Sequence, residues 1–151
     1  LEDIIMPSEE ATHSRHGADP IEVVRTVYDA YVRGDRAAIE QVIAADFHFS
    51  SPRDNRIDRQ TYFARCWPNH EHIVDFKLIH IVLDSDRVFV TYEGESKAGN
   101  HFRNTEISTV RQGKVVETEV YFGWSVPHEA PLGGFTDVIE GRAPWRPLSR
   151  T

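Results

Sequence analysis

A single cysteine, Cys66, occurs in a chain of 151 residues. One thiol excludes any disulfide within the chain and makes a reducing, cytoplasmic compartment the expected setting. No apolar run approaches the roughly 20 residues that a membrane-spanning helix needs, so no membrane association is expected. Cations are in deficit: 17 Lys and Arg against 24 Asp and Glu give a formal net charge of -7, and only "RPLSR" near the C-terminus has a local basic surplus. Phosphate backbones are held mainly by clustered Lys and Arg, so nucleic acid is not an expected partner. The chain also lacks a glycine-rich phosphate loop, a dinucleotide fingerprint, HExxH and facial-triad spacing; no cofactor and no metal are expected. Methionine is nearly absent as well. The chain opens on Leu1 and meets its one Met at position 6, the pattern of added leading residues or an internal start. Residues 1–18 are polar, without a basic region followed by an apolar stretch, and read as a leader rather than a secretory signal.

What remains is an ordinary globular composition, 40% hydrophobic and 11% aromatic, at a length typical of one domain. In "DPIEVVRTVYDAYVRGD", Asp19 is placed to cap a helix that begins at Pro20, with Ile21, Val24, Tyr28 and Tyr31 on one face and Gly34 closing it. Asp35 caps a second helix, "RAAIEQVIAAD", with Ile39, Val42 and Ile43 inward, and "FHFSSP" then turns strand-like. "RDNRID" reads as a polar loop. Asp58 caps a third helix, "RQTYFARCWP", which Pro68 ends. From residue 72 the apolar period changes to two. "IVDFKLIHIVLD", "RVFVTYEGES", "HFRNTEISTVR" and "KVVETEVYFGW", joined at "SD", "KAGN" and "QG", predict an antiparallel meander. Helices followed by consecutive strands indicate an α+β fold with the helices on one face of the sheet. Residues 19–124 thus form the domain, and 125–151, rich in Pro and Gly, an extended tail.

This order of elements, with "GD" between the helices, "AADF" before the first strand, a Pro at its end and "GKVVE" in the last turn, resembles the nuclear transport factor 2-like superfamily. Within it the chain is most similar to the SnoaL-like group of small polyketide cyclases and ketosteroid isomerases. The resemblance spans roughly residues 20 to 124. It implies a cone: a strongly curved antiparallel sheet wrapped around the N-terminal helices, a cystatin-like α+β barrel enclosing a deep apolar pocket, commonly dimeric through the outer sheet. Carried over residue by residue, the isomerase donor position falls on Val27, beside Tyr28. Its base position falls on Ser51, which cannot serve as an unassisted base, and its third, acidic position falls on Glu106.

In that frame Glu106, Ser108 and Val110 share the inward parity of their strand, as do Val116, Thr118, Val120 and Phe122 on the next, while Glu117, Glu119 and Tyr121 face outward toward solvent or a second subunit. A carboxyl in an apolar pocket has its neutral form favoured, which makes Glu106 the candidate catalytic residue. The competing expectation is a register-setting pair of Glu106 with Arg103 or another Arg. Candidate ligand-binding residues are Tyr31, Ser51, Arg53, Trp67, Tyr92, Ser108, Thr118 and Phe122. Ser50, Ser51, Arg53 and Asp54 suit a polar or anionic group and suit an ordinary turn equally well. Tyr28 and Tyr62 belong to the wider aromatic set, where core packing competes with a site role. His70 and His72 share a side if "HEH" is extended, and His48 reads as a core or interface histidine.

Three function classes stay open. One is acid/base chemistry of isomerase, cyclase or dehydratase type on a small apolar carbonyl or polycyclic molecule. The second is a ligand-binding or dimerisation module without turnover. The third, a protein-interaction module, needs an exposed apolar patch.

Overall fold

The computed structural model describes residues 17–137. Helix α1 (Pro20–Arg33) starts where the Asp19 carboxylate accepts from the Ile21 N–H and ends at Gly34, whose φ of 65° supplies the left-handed cap. Helix α2 (Arg36–Val42) is capped by Asp35, which accepts from the Ala38 N–H at 3.0 Å, and α3 (Arg59–Arg65) by Asp58, which accepts from Thr61. Asp35→Ala should lower stability by about 1 kcal/mol through the lost cap alone; a denaturation midpoint unchanged from wild type would contradict that.

Six strands, β1 (Ile43–Ser51), β2 (Asp54–Asp58), β3 (Ile73–Asp84), β4 (Arg87–Ser96), β5 (His101–Arg111) and β6 (Lys114–Ser125), form one sheet in the order β2-β1-β6-β5-β4-β3. The expected α+β fold is observed: a long β3–β6 meander curves round the helices as a cone. Gln112 and Gly113, both at positive φ (52° and 74°), make the tight β5–β6 turn read from "QG". The sheet is not wholly antiparallel, because β1 returns beside β6 in parallel register, Phe49 opposite Thr118. Phe47, Ile39, Val24, Val88, Val90 and Val115 are each almost completely buried and form the core between helices and sheet. Burying each such side chain contributes roughly 1.5–3 kcal/mol.

Four local expectations are corrected. The second helix stops at Val42, because Ile43, β-branched and extended at φ −96°, already pairs with Val115; sheet pairing overrides the helical propensity of "AAD". "RDNRID" contains a strand, with Ile57 opposite Phe49 and packed on the core. A bulge at Thr109/Val110 shifts β6 by one residue, so Val115 takes the core place expected of Val116. "HEH" is not extended but lies in a short 3₁₀ helix, Trp67–His72, opened by Pro68 at its second position. Among the described residues no three His, Cys, Asp or Glu come together as a metal site requires, and no helix is long and apolar enough to cross a membrane. Most of the expected leader (1–16) and of the tail (138–151) lies outside the described residues; Ser125 belongs to β6 and 126–137 follow it without regular structure.

Candidate functional site

Strand alternation and helix periodicity converge inside the cone. On β4 and β5 the pairs Val90–Glu106 and Tyr92–Asn104 lie opposite each other, which places Tyr92, Asn104 and Glu106 on the inner face, and Val120 of β6 faces Glu106 from the other side. Tyr28 and Tyr31, three residues apart on α1, come down onto them from above. The rings of Tyr28, Tyr31, Tyr62, Phe76, Tyr92 and Phe102 form an aromatic cage around an open cavity of about 1080 Å³. Phe102 reaches it because its cross-strand neighbour is Gly94: a Cβ there would lie 2.4 Å from the Phe102 ring.

Glu106 is held by two phenols. Its Oε2 accepts from the Tyr28 hydroxyl at 3.0 Å and its Oε1 from the Tyr92 hydroxyl at 2.7 Å, while Asn104 Nδ2 donates to the Tyr92 oxygen at 3.3 Å. Glu106 has no Lys, Arg or His partner among the described residues, and Arg103, the expected rival, pairs with Glu93 on the outer face instead. Burial pushes the Glu106 carboxyl above the ordinary glutamate range, and the two tyrosine hydrogen bonds pull it part of the way back. The residue sits deep in the cone yet keeps some accessible surface, as a cavity-lining group does. Burial, and next the Glu106 charge, hold the Tyr28 and Tyr92 phenols well above their usual range, so their protons stay on oxygen.

A second polar cluster lies at the rim. Ser51 Oγ donates to Asp54 Oδ2 at 2.7 Å, Arg65 Nε donates to Asp54 Oδ1 at 2.5 Å, and the Arg53 N–H donates to Ser51 Oγ at 3.0 Å. Burial tends to raise the Asp54 carboxyl, but the Ser51 hydroxyl and the Arg65 guanidinium together hold it below its ordinary value. Arg53 lies over the Phe122 ring at 5.9 Å. Cys66 also borders the cavity, with its thiol pushed up to about 11 by burial, so it is not a thiolate nucleophile near neutral pH.

Of the residues singled out in the sequence, Glu106, Tyr31, Ser51, Arg53, Tyr92 and Phe122 line this one cavity. Phe122 is 51% exposed and stands at the mouth rather than inside. Trp67, Ser108 and Thr118 do not line it. Trp67 is buried against Tyr31 and His70, and Ser108 and Thr118 are buried cross-strand partners that share a hydrogen bond at 3.1 Å, each closing the other's polar group within the sheet. The outward parity of Glu117 and Glu119 is observed: Glu117 pairs with Arg56, and Glu119 accepts from Tyr121. Tyr28, Tyr62 and Asn104 also present polar groups to the cavity and were not among the ligand-binding candidates. Tyr28 had a signal, its i+3 spacing to Tyr31, whereas Asn104 had only its parity with Glu106.

A somewhat larger hollow, about 1210 Å³, lies outside the cone where α2, β1, α3 and the β5–β6 turn meet. Its charges are largely answered within the fold, with Arg36 on Glu40, Arg111 on Asp86 and Lys114 on the Gln41 carbonyl, so it reads as a solvated groove. The aromatic cavity is the better chemical site because its carboxyl, Glu106, is raised by burial and has no cationic partner among the described residues, whereas Asp46 and Asp58 of the outer groove are exposed to solvent.

The family model described as SnoaL-like domain matches residues 24–118. Solved structures with the same fold include an NTF-2 like protein of unknown function from Burkholderia xenovorans, 24% identical over 74% of this chain and 87% of that one, with a TM-score of 0.61. IdmH from Streptomyces antibioticus, described as a candidate polyketide cyclase, is 21% identical over 68% of this chain and 91% of its own, with a TM-score of 0.58. An LEH-like epoxide hydrolase from M. tuberculosis is 16% identical over 69% and 82%, with a TM-score of 0.60. At such identities the likeness establishes the fold alone. No curated protein matches the sequence.

Proposed function

The chain belongs to the SnoaL-like domain family, and from the cavity it carries we propose that it acts on a small, largely apolar carbonyl or polycyclic molecule by acid/base chemistry of isomerase, cyclase or dehydratase type. The observation that carries this reading is Glu106: a carboxyl inside an aromatic cage, raised by burial and lacking any cationic partner among the described residues. In the simplest step, the Glu106 carboxylate takes a proton from the carbon beside a carbonyl. The C–H electron pair becomes the C=C bond of an enolate, and the carboxylic acid so formed returns the proton to another carbon. The reaction balances as an isomerisation and needs no cofactor. That proteins of this fold are described as a candidate polyketide cyclase and an epoxide hydrolase supports a small-molecule substrate.

One observation favours the other reading, a binding module without turnover: both Glu106 oxygens are already met by Tyr28 and Tyr92. Proton wash-out separates the two. Small apolar ketones incubated with the protein in D₂O should lose their α-proton NMR signals with wild type and not with Glu106→Gln. Equal wash-out with both proteins would remove Glu106 from the chemistry, and saturable binding without wash-out would leave the binding module.

The same reading includes a homodimer through the outer sheet, where Val82 and Tyr121 are more than half exposed and Phe89 lies opposite Ile107 between them. Light scattering should give twice the chain mass; a monomer at every concentration would remove this role. A cytoplasmic setting fits the one buried thiol.

A further inference from the structure

Counting hydroxyl protons in the cavity singles out one pair. The Tyr28 proton is committed to Glu106 Oε2, the Tyr92 proton to Glu106 Oε1, the Ser51 proton to Asp54 and the Ser125 proton to the Pro127 carbonyl, while Thr136 is exposed to solvent. Tyr31 and Tyr62 remain, their oxygens 2.8 Å apart. Two phenols bring two protons and only one can lie between them. The other has no acceptor among the described residues, and a donor left unmade in so sheltered a place is costly. Both rings line the cavity, and both are locked: Tyr31 edge-on to Trp67 at 5.0 Å, Tyr62 against Phe47 at 5.0 Å and Phe49 at 5.1 Å.

We propose that the Tyr31–Tyr62 hydroxyl pair is the oxygen-recognition point of the cavity, giving its unspent hydrogen bond to a carbonyl, enolate or phenolate oxygen of a ligand whose apolar body lies among the surrounding rings. The proposal rests on reading the cavity as a small-molecule site but not on Glu106 being catalytic. A hydroxyl that itself accepts a hydrogen bond is the stronger donor, so the pair suits an oxygen gaining negative charge better than a lone phenol would. Burial holds both phenols above their usual range, so the bond is donated and no proton is transferred. The pair and the carboxyl line the same cavity. Tyr31 follows Tyr28 on α1 by about one turn, roughly 5 Å of rise, and Phe76 packs on both rings at 6.5 and 5.4 Å.

The test uses 4-nitrophenol, whose phenolate absorbs visible light, titrated into wild type, Tyr31→Phe, Tyr62→Phe, the double variant and Glu106→Gln. Wild type should bind the phenolate and lower the pKa of the bound phenol below its value in solution. The double variant should lose roughly ten- to hundredfold in affinity, as expected for a hydrogen bond to a charged oxygen, together with the pKa shift. Each single variant keeps one proton to donate and should lose only a few-fold. Removing both hydroxyls leaves no orphan, so the double variant should melt near wild type, which separates recognition from folding. Absence of binding by wild type, binding of the neutral phenol only, or a double variant that binds like wild type would each overturn the proposal. Glu106→Gln should retain phenolate binding, and loss of binding there would move the recognition point to the carboxyl and overturn it too. Wash-out that survives Glu106→Gln, with phenolate binding lost only in the double variant, would refute the acid/base reading and leave the pair standing.

Discussion

Glu106→Gln is expected to reduce turnover, measured as α-proton wash-out, by about 10²- to 10⁴-fold, the contribution of a positioned general acid/base. The substitution is nearly isosteric, and the site can absorb it. The Gln carbonyl accepts from one tyrosine and its amide donates to the oxygen of the other, so the bracket formed by Tyr28 and Tyr92 survives in altered polarity. What disappears is the exchangeable proton. The stability signature should move the other way. Because burial raises the folded carboxyl above its unfolded value of about 4.3, the folded state binds more protons than the unfolded state between those two values. Glu106 therefore favours folding fully below the ordinary value, and that contribution is lost as pH rises through the folded one. Glu106→Gln should remove this downward slope and be at least as stable as wild type near neutral pH. Asp54, held low by Ser51 and Arg65, has the opposite sign: its contribution is present above its ordinary value and lost as pH falls. The difference between wild type and Glu106→Gln isolates the Glu106 slope. A variant less stable than wild type at neutral pH would mean that the carboxylate is a net structural asset.

Phe47→Ala should be the most destabilising single change in the core, at about 3–5 kcal/mol, a large part of the roughly 5–15 kcal/mol that holds an ordinary domain. Phe47 is 1% exposed, on the strand that bridges α3 to the parallel β1–β6 pair, and its ring meets Tyr62 edge-on at 5.0 Å. Truncation leaves a cavity behind Tyr62 and frees the hydroxyl that pairs with Tyr31. The consequence should therefore be double, an early urea midpoint and weakened phenolate binding in the fraction still folded. A loss below about 1 kcal/mol would show that the neighbouring rings collapse into the space.

The elements legible in the sequence were those whose signal is local. Asp19, Asp35 and Asp58 announced three helix starts, Gly34 one stop, and the period-two runs four strands with their turns. The parity of Glu106 was legible for the same reason, since alternation along β5 is a property of the strand itself. Misread features were those decided by partners distant in the chain. Ile43 to Asp46 are helix formers by composition and strand by pairing with β6, and "RDNRID" becomes a strand only because β1 offers an edge. Val116 lost its core place to a bulge that no residue type announced. At the site, Tyr31 and Tyr92 could be chosen by spacing, but Tyr62 meets Tyr31 only because α3 packs on β1 and its side chain reaches toward α1, and Trp67 turned inward behind them. Ser108 and Thr118 had the inward parity expected of them, but at a depth where each satisfies the other rather than a ligand.

The chemistry of the cavity turns on one property, a Glu106 carboxyl that lacks a cationic partner among the described residues and holds its proton more tightly than a solvated glutamate. Carbon-13 NMR titration of that side-chain carboxyl, assigned by comparison with Glu106→Gln, measures it directly. The predicted midpoint lies above the ordinary value of about 4.3, and Tyr28→Phe moves it higher still, because one of the two hydrogen bonds that favour the charged form is gone. A midpoint at or below the ordinary value would identify Glu106 as a permanently ionised structural anion and contradict the account.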